Sequence, residues 1–370
     1  MMVSTVGTSV LGNAVDPFDR GRLYKLANHA AGRLAADDAT FLDSAVERAR
    51  TEVLAADDKA CRRLSAELNG IIAYEGELRR TGRRGIDQHV LVSTDTAAGN
   101  RAAKVIDEKI RARGGSSVVC PIKDLQTADL DLFRSGCSSL AREMWRLAGG
   151  SIRPGAGRDL VFNLTGGFKG VNAFVQTVAL AFGAETIYVF ETSDRLMHIP
   201  RLPMAFAANE EIARAFPIYR RMAVGERVTF AEAQSAGLSE PLILTDGETV
   251  TLSEYGDLFF PIAWAEIASK SLLPARSGRI RFTNAFRHQA EKLPPDRLKQ
   301  VNDAIEALEL RLEYKAEGQL KRHTFKPLQG NPKPPATHEL YLWSDQDAGR
   351  AFFRQLPDGM WEATELDAHL

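Results

Sequence analysis

With 370 residues, 44% of them hydrophobic, the chain is long enough for two or three domains with sizeable cores. Its formal net charge of −1 excludes a global basic field, so any nucleic acid would have to be held by a local patch. Cys61, Cys120 and Cys137 are scattered, which speaks against a disulfide framework or a zinc site; with no basic leader and no apolar run of membrane-spanning length, a soluble cytoplasmic protein is expected.

In chain order, "MVSTVGTSVL" reads as a short strand breaking into a Gly-Thr-Ser turn, followed by a long helical stretch from about Pro17 to Leu78. "QHVLVSTDTAAGNRAAKVIDEKI" reads as strand, polar turn and helix, and "SSVVCPI" as another strand. "VFNLTGGFKGVNAFVQTVALAFGA" repeats the pattern, and "AETIYVFETSDRLMHIPRLP" adds a strand with a hairpin return. Strands alternating with helices predict an α/β, Rossmann-like domain on a parallel sheet, ending near residue 205, with the three turns opening at the carboxyl edge where such folds place ligands.

One of those turns is unusual. Glycines alone explain a strand reversing into a helix. They do not explain Asn163, Thr165 and Lys169 gathered around Gly166 and Gly167 at a helix start, where free N–H groups and the helix dipole favour an anion. A phosphate-bearing ligand is expected, although the longer spacing of a Walker A loop is absent.

From Met204 to Arg276 the composition shifts. Residues 228–269 contain no Lys or Arg, while Glu232, Glu240, Asp246, Glu248, Glu254, Asp257 and Glu266 are acidic. "TFAEAQSAGL" and "LILTDGETVTL" are expected to form a small winged-helix-like connector over residues 206–276. Duplex binding needs cations that this stretch does not supply, so coupling of domains is expected. A solvated acidic face and a dock for a basic protein are the alternatives.

Residues 277–370 read as a small α+β domain. "RIRFTNAFRHQAEKL" is strand then helix, with Thr283 or Asn284 as N-cap. A second helix carries Leu298, Val301, Ile305, Leu308 and Leu312 in one apolar stripe. "THELYLW", "GRAFFRQL" and "MWEATELDA" are three strand-like runs.

The elements "STVGTSVLGN", "NLTGGFKG" and "ETIYVFETSDRLMHIPRLP" closely resemble the CARF sensor domains of type III CRISPR effectors, over roughly residues 1–205. The resemblance implies a homodimer whose shared pocket binds cyclic oligoadenylate, with a four-membered ring, cyclic tetra-adenylate, as the expected activator. Carried over, Gly7, Thr8, Ser9 and Asn13 line the first loop, and Asn163, Thr165, Gly166, Gly167, Phe168 and Lys169 the second. Ser93, Thr94 and Asp95 end another strand at that edge and are weaker candidates.

The tail resembles RelE-type toxins in its order of "RIRFT", helix, "KLPPDRLKQVNDAIEAL", "FKPLQG", "HELYLW" and "GRAFFRQL". A CARF sensor fused to a RelE-like domain is similar to the CRISPR-associated mRNA interferases. That resemblance implies a ligand-activated endoribonuclease that needs neither metal nor cofactor, cuts mRNA on the ribosome and so inhibits translation. Such chemistry needs a proton acceptor, a proton donor and cations on the phosphorane-like transition state. Arg350 falls where the family has a catalytic arginine. Strand alternation puts Leu340 and Leu342 in the core and Glu339, Tyr341 and Trp343 on the opposite face. Glu339 and Tyr341 stand where the family often has basic residues. Either a carboxylate and a phenol carry the proton relay, or the register shifts by one and His338 belongs in the site.

Of the other histidines, His369 is also a candidate and His288 a weak one. Lys321, Arg322, His323 and Lys326 form a local basic cluster expected to track RNA phosphates, with a solvated loop as the alternative. Trp343 and Trp361 are candidates to stack a base, burial being the better default for Trp361. The rival reading, a ligand-responsive transcriptional regulator with a non-catalytic tail, fits the connector and the missing basic pair.

Overall fold

The computed structural model describes residues 1–29, 33–126, 128–150, 160–190, 195–202, 204–315, 323–329, 333–344 and 348–368. The chain divides into two compact units: residues 1–208 with 239–244 and 252–259, and residues 209–238, 245–251 and 260–370. The stretch expected to form a separate connector over 206–276 is thus shared between the two.

The first unit is built on a six-stranded sheet: β1 (Met2–Thr5), β2 (His89–Thr94), β3 (Ser117–Ile122), β4 (Val161–Asn163), β5 (Glu185–Val189) and β6 (Leu196–Ile199), in the order β3-β2-β1-β4-β5-β6. All neighbours are parallel except β5 and β6, the expected hairpin return. β1 and β2 are buried along their whole length, as central strands covered on both faces must be. The expected helical stretch is divided into helices Arg20–Leu26, Ala36–Ala55, Asp58–Leu64 and Ala66–Arg80. Two breaks are written in side chains: Asp57 accepts from the Ala60 amide and Ser65 from the Leu68 amide, each satisfying a helix-start donor. One continuous apolar cluster joins Leu42, Leu68, Ile71 and Tyr74 of these helices to Met2 and Leu91 of the sheet.

Helix Leu130–Leu147 supplies cations to the acidic stretch: Arg142 pairs with Asp257 at 3.0 Å and Arg134 lies 3.9 Å from Glu254. Glu232 instead closes a capping box on helix Phe230–Ser235 and meets Arg221 at 2.9 Å. Glu232, Glu254 and Asp257 are thus paired with arginines, which relieves part of the repulsion in the acidic run. The short β7 (Val228–Thr229) runs antiparallel to β9 (Thr249–Leu252), and β8 (Ile243–Asp246) leads into β9 through Gly247.

The second unit holds a five-stranded sheet of β10 (Ile280–Phe282), β11 (Phe325–Pro327), β12 (His338–Ser344), β13 (Ala348–Gln355) and β14 (Trp361–Ala368), in the order β10-β14-β13-β12-β11. Thr283 is the N-cap of helix Asn284–Glu291, accepting from the Phe286 amide. Helix Pro295–Tyr314 buries Leu298, Val301, Ile305 and Leu308, with Leu312 packed at the edge of the same core as Leu340, Ala351 and Phe353. Arg220, on helix Phe216–Ala223, donates to Glu306 at 2.9 Å and to the Pro274 carbonyl at 2.8 Å.

Candidate functional site

In the first unit the strand order reverses between β1 and β4, which pair from Met2–Val161 to Ser4–Asn163. The loops that leave their carboxyl ends, residues 6–8 and 164–168, therefore lie side by side at a topological switch point. Their closeness depends on glycine. A Cβ on Gly7 would stand 3.3 Å from the Gly167 backbone, and Gly167 itself has φ +90° with Thr5 against its face. Helix Lys169–Ala181 starts immediately afterwards. Among the described residues the amides of Gly166, Gly167 and Phe168 donate to no protein acceptor, and Lys169 is exposed beside them.

The side chains in these loops play other parts. Asn163 is buried: its amide donates to Ser4 Oγ at 3.2 Å and to the Glu67 carbonyl at 3.1 Å, and its Oδ1 accepts from the Thr165 amide. Thr165 Oγ1 accepts from the Val189 amide at 3.1 Å. Asn13 donates to the Leu64 carbonyl at 3.0 Å and so ties two helices rather than facing the second loop. Thr8 is the N-cap residue of helix Ser9–Ala14 but its hydroxyl makes no capping bond. At the neighbouring strand end Ser93 and Thr94 are buried, and Asp95 accepts from the Asp124 amide at 3.1 Å.

Glu67 was not singled out by sequence, yet it joins the first loop to the second. It is fully buried; Oε1 accepts from the Gly7 amide at 2.9 Å, and Oε2 from Ser9 Oγ at 2.8 Å and Ser65 Oγ at 2.7 Å. A Cβ on Gly166 would run into the same carboxylate. Three donors satisfy the buried charge, as burial demands, and Ser9 is thereby spent inward. Thr5 and Asn172 complete the scaffold: the Thr5 hydroxyl lies 2.9 Å from the Gly166 carbonyl, which also accepts from Asn172 Nδ2 at 2.9 Å. The only sequence sign of Glu67 is its place next to the helix cap Ser65.

In the second unit a different kind of site stands on one sheet face. Tyr341 of β12 lies directly opposite Arg350 of β13, and Glu339 opposite Phe352 and Lys326. Arg350 donates to Glu339 Oε2 at 3.0 Å, Lys326 Nζ lies 3.5 Å from Glu339 Oε1, and both cations sit over the Tyr341 ring at 5.0 and 4.9 Å. The Glu339 side chain is 7% exposed, whereas Arg350 and Lys326 are 42% and 47% exposed, so the carboxylate is seated and the cations remain open to a ligand. Hydrogen bonding to Tyr341 and the nearby Glu339 charge hold the Lys326 ammonium above the ordinary lysine range.

The register settles where the remaining candidates lie. His338 pairs with the core residue Phe353, stacks on Phe325 and abuts Trp361, so it lies on the opposite face from Arg350. Burial lowers its pKa. Trp343 departs from the expected alternation: a bulge between Tyr341 and Trp343 brings Trp343 opposite Gly349, and it packs in the core. Trp361 is also packed against that core. His323 Nδ1 lies 3.0 Å from the Tyr341 carbonyl, and Lys326 belongs to the Arg350 cluster instead of a separate phosphate track. His288 is exposed on its helix. Lys321, Arg322 and His369 lie outside the described residues.

Among the described residues, no group of three or more His, Cys, Asp or Glu is placed to hold a metal ion, and no helix is long and apolar enough to cross a membrane. Residues 62–202 match the family model of a CRISPR-associated protein, Cas_APE2256. That match supports an association with CRISPR systems; it spans Glu67 and the Gly166–Gly167 loop and stops short of the first loop and the whole second unit. No curated protein matches the chain.

Proposed function

We propose that the protein is a ribonuclease of CRISPR defence, activated by a cyclic oligoadenylate held at the two switch-point loops of the first unit. The observation that carries the reading is the Arg350–Glu339–Tyr341–Lys326 cluster on an open sheet face, in a chain whose other unit presents unpaired loop amides and a lysine at a helix start. Those amides and Lys169 would take a ligand phosphate, while Glu67 fixes the first loop opposite. A ring with several phosphates would be shared by two copies of the chain.

At the second site, the cluster supplies each part of a metal-independent transesterification. Glu339 accepts the proton of the ribose 2′-OH, whose oxygen forms a bond to the adjacent phosphorus. Arg350 and Lys326 neutralise the charge that gathers on the phosphoryl oxygens. The bond from phosphorus to the 5′ oxygen breaks, and Tyr341 donates its proton to that leaving oxygen, giving a 2′,3′-cyclic phosphate and a 5′-hydroxyl. Arg350 has five N–H donors, so the bond to Glu339 leaves others for phosphate.

The test is cleavage of one mRNA in a translating extract and as naked RNA, each with and without cyclic tetra-adenylate and with and without a chelator. Chelator-resistant, ligand-dependent cuts on translated message are expected. If the ligand binds and nothing is cut under any condition, the nuclease reading fails and a ligand-responsive regulator takes its place.

A further inference from the structure

At the opposite edge of the first unit's sheet, where the parallel strands begin, lies a cavity of about 930 Å³ lined by Arg83, Arg84, Arg201, Gln88, Ser116 and Glu185, among others. Its rim continues onto the end of helix Ala66–Arg80, so that Arg79, Arg80, Arg83 and Arg84, all exposed, fall within six consecutive positions. In a chain of net charge −1 this is a strong local concentration of one sign. Cations at a helix end complement its dipole, which accounts for Arg79 and Arg80 but not for Arg83 and Arg84 beyond it.

The acids nearby are spent. His198 lies 2.6 Å from Glu185 and 3.1 Å from Glu77, with the Tyr74 hydroxyl 3.1 Å from Glu185. Asp87 pairs with Arg84 at 2.9 Å, both well exposed, a contact that a stronger anion displaces at little cost. Among the described residues Arg79 and Arg80 have no acidic partner.

We propose that this arginine-rimmed cavity is an RNA-binding surface on the first unit, independent of the switch-point loops. The chemistry favours RNA over an acidic protein. Every cation on the rim is an arginine, whose fork matches phosphate oxygens and stacks on bases. Of the apolar side chains that line the cavity, Met1, Leu78 and Val161 are buried and Ile86 is half-buried, packed against the core, so the surface lacks the fully exposed apolar anchor on which protein interfaces depend. The volume admits a nucleotide.

The experiment measures binding of a fluorescent single-stranded RNA to the full chain on an Arg350→Ala background, across a salt series. Substituting Arg79, Arg80, Arg83 and Arg84 together by Ala should weaken binding at least tenfold and flatten the salt slope by about 3, at roughly 0.7 per lost phosphate contact. Substituting the same four by Lys should restore most of the slope, and cyclic tetra-adenylate binding should stay unchanged in both, which separates this surface from the sensor reading. RNA affinity and slope unaltered in the Ala variant would overturn the proposal. So would a polyglutamate peptide that binds more tightly than RNA to the same arginines.

Discussion

The two candidate sites are made of different material. At the switch point of the first unit the side chains that stand out in the sequence are turned inward: Asn163 to Ser4 and the Glu67 carbonyl, Ser9 to the Glu67 carboxylate, Thr165 to the Val189 amide. What is left without a protein partner is backbone, the amides of Gly166, Gly167 and Phe168, beside the exposed Lys169. On the sheet of the second unit the backbone is consumed by strand pairing, and the side chains of Tyr341, Arg350 and Lys326, gathered around the seated Glu339, make the site. A glycine-rich motif thus marks where main chain approaches main chain, and the polar residues inside it hold that main chain in place. An alternating strand marks where side chains do the work.

The contrast can be broken most severely in the second unit. Arg350→Ala should lower cleavage about a thousandfold, with cyclic tetra-adenylate affinity measured by calorimetry unchanged. Undiminished cleavage would remove Arg350 from the chemistry. Next in size is Gly167→Ala: a side chain at φ +90°, with its Cβ 2.7 Å from Thr5, should cost about 2 to 4 kcal/mol in denaturant unfolding. Because the damage falls on the loop, ligand affinity should fall with it. A variant as stable as the parent would show that the loop does not need its close approach.

Glu67→Ala sharpens the comparison, since it removes no atom expected to touch ligand. It strands the Gly7 amide and the Ser9 and Ser65 hydroxyls in a buried place, a loss of about 1 to 3 kcal/mol. Ligand binding should weaken while Lys169 remains; equal affinity would dissociate the first loop from the site. The smallest effect is the pH dependence of His198. Burial would lower its pKa, but hydrogen bonds to Glu185 and Glu77 outweigh that and raise it. A raised folded-state pKa means stability fully present below the unfolded value near 6.5 and lost as pH rises through the folded value. The unfolding midpoint of His198→Gln should therefore lie further below the parent at pH 5.5 than at pH 8.5, and a gap independent of pH would deny the histidine its charge.

The alternation of strands and helices made the α/β sheet legible, because β1 and β2 carry short apolar runs, Met2–Val3 and Val90–Val92, and each is followed by a polar turn. Alternation in "HELYLW" likewise placed Glu339 and Tyr341 on one face. Glu67 was illegible: its importance comes from contacts with residues some 60 positions away, and a carboxylate beside a serine cap reads only as a helix start. Lys326 was visible as a cation but its place beside Glu339 required the pairing of β11 with β12. The division of residues 206–276 between two units was hidden for a related reason, since composition reports what a stretch is made of and not which core receives it.

The bulge between Tyr341 and Trp343 sets one further condition on the chain. Before it, odd-numbered positions of β12 look outward; after it, Trp343 is inside. Tolerance to polar substitution along this strand should consequently change phase at Leu342, and deleting Leu342 would restore plain alternation, leaving Glu339 and Tyr341 outward and Trp343 inward, opposite Gly349. One extra residue thus lets the same strand show Glu339 and Tyr341 on one face and bury both Leu342 and Trp343 on the other.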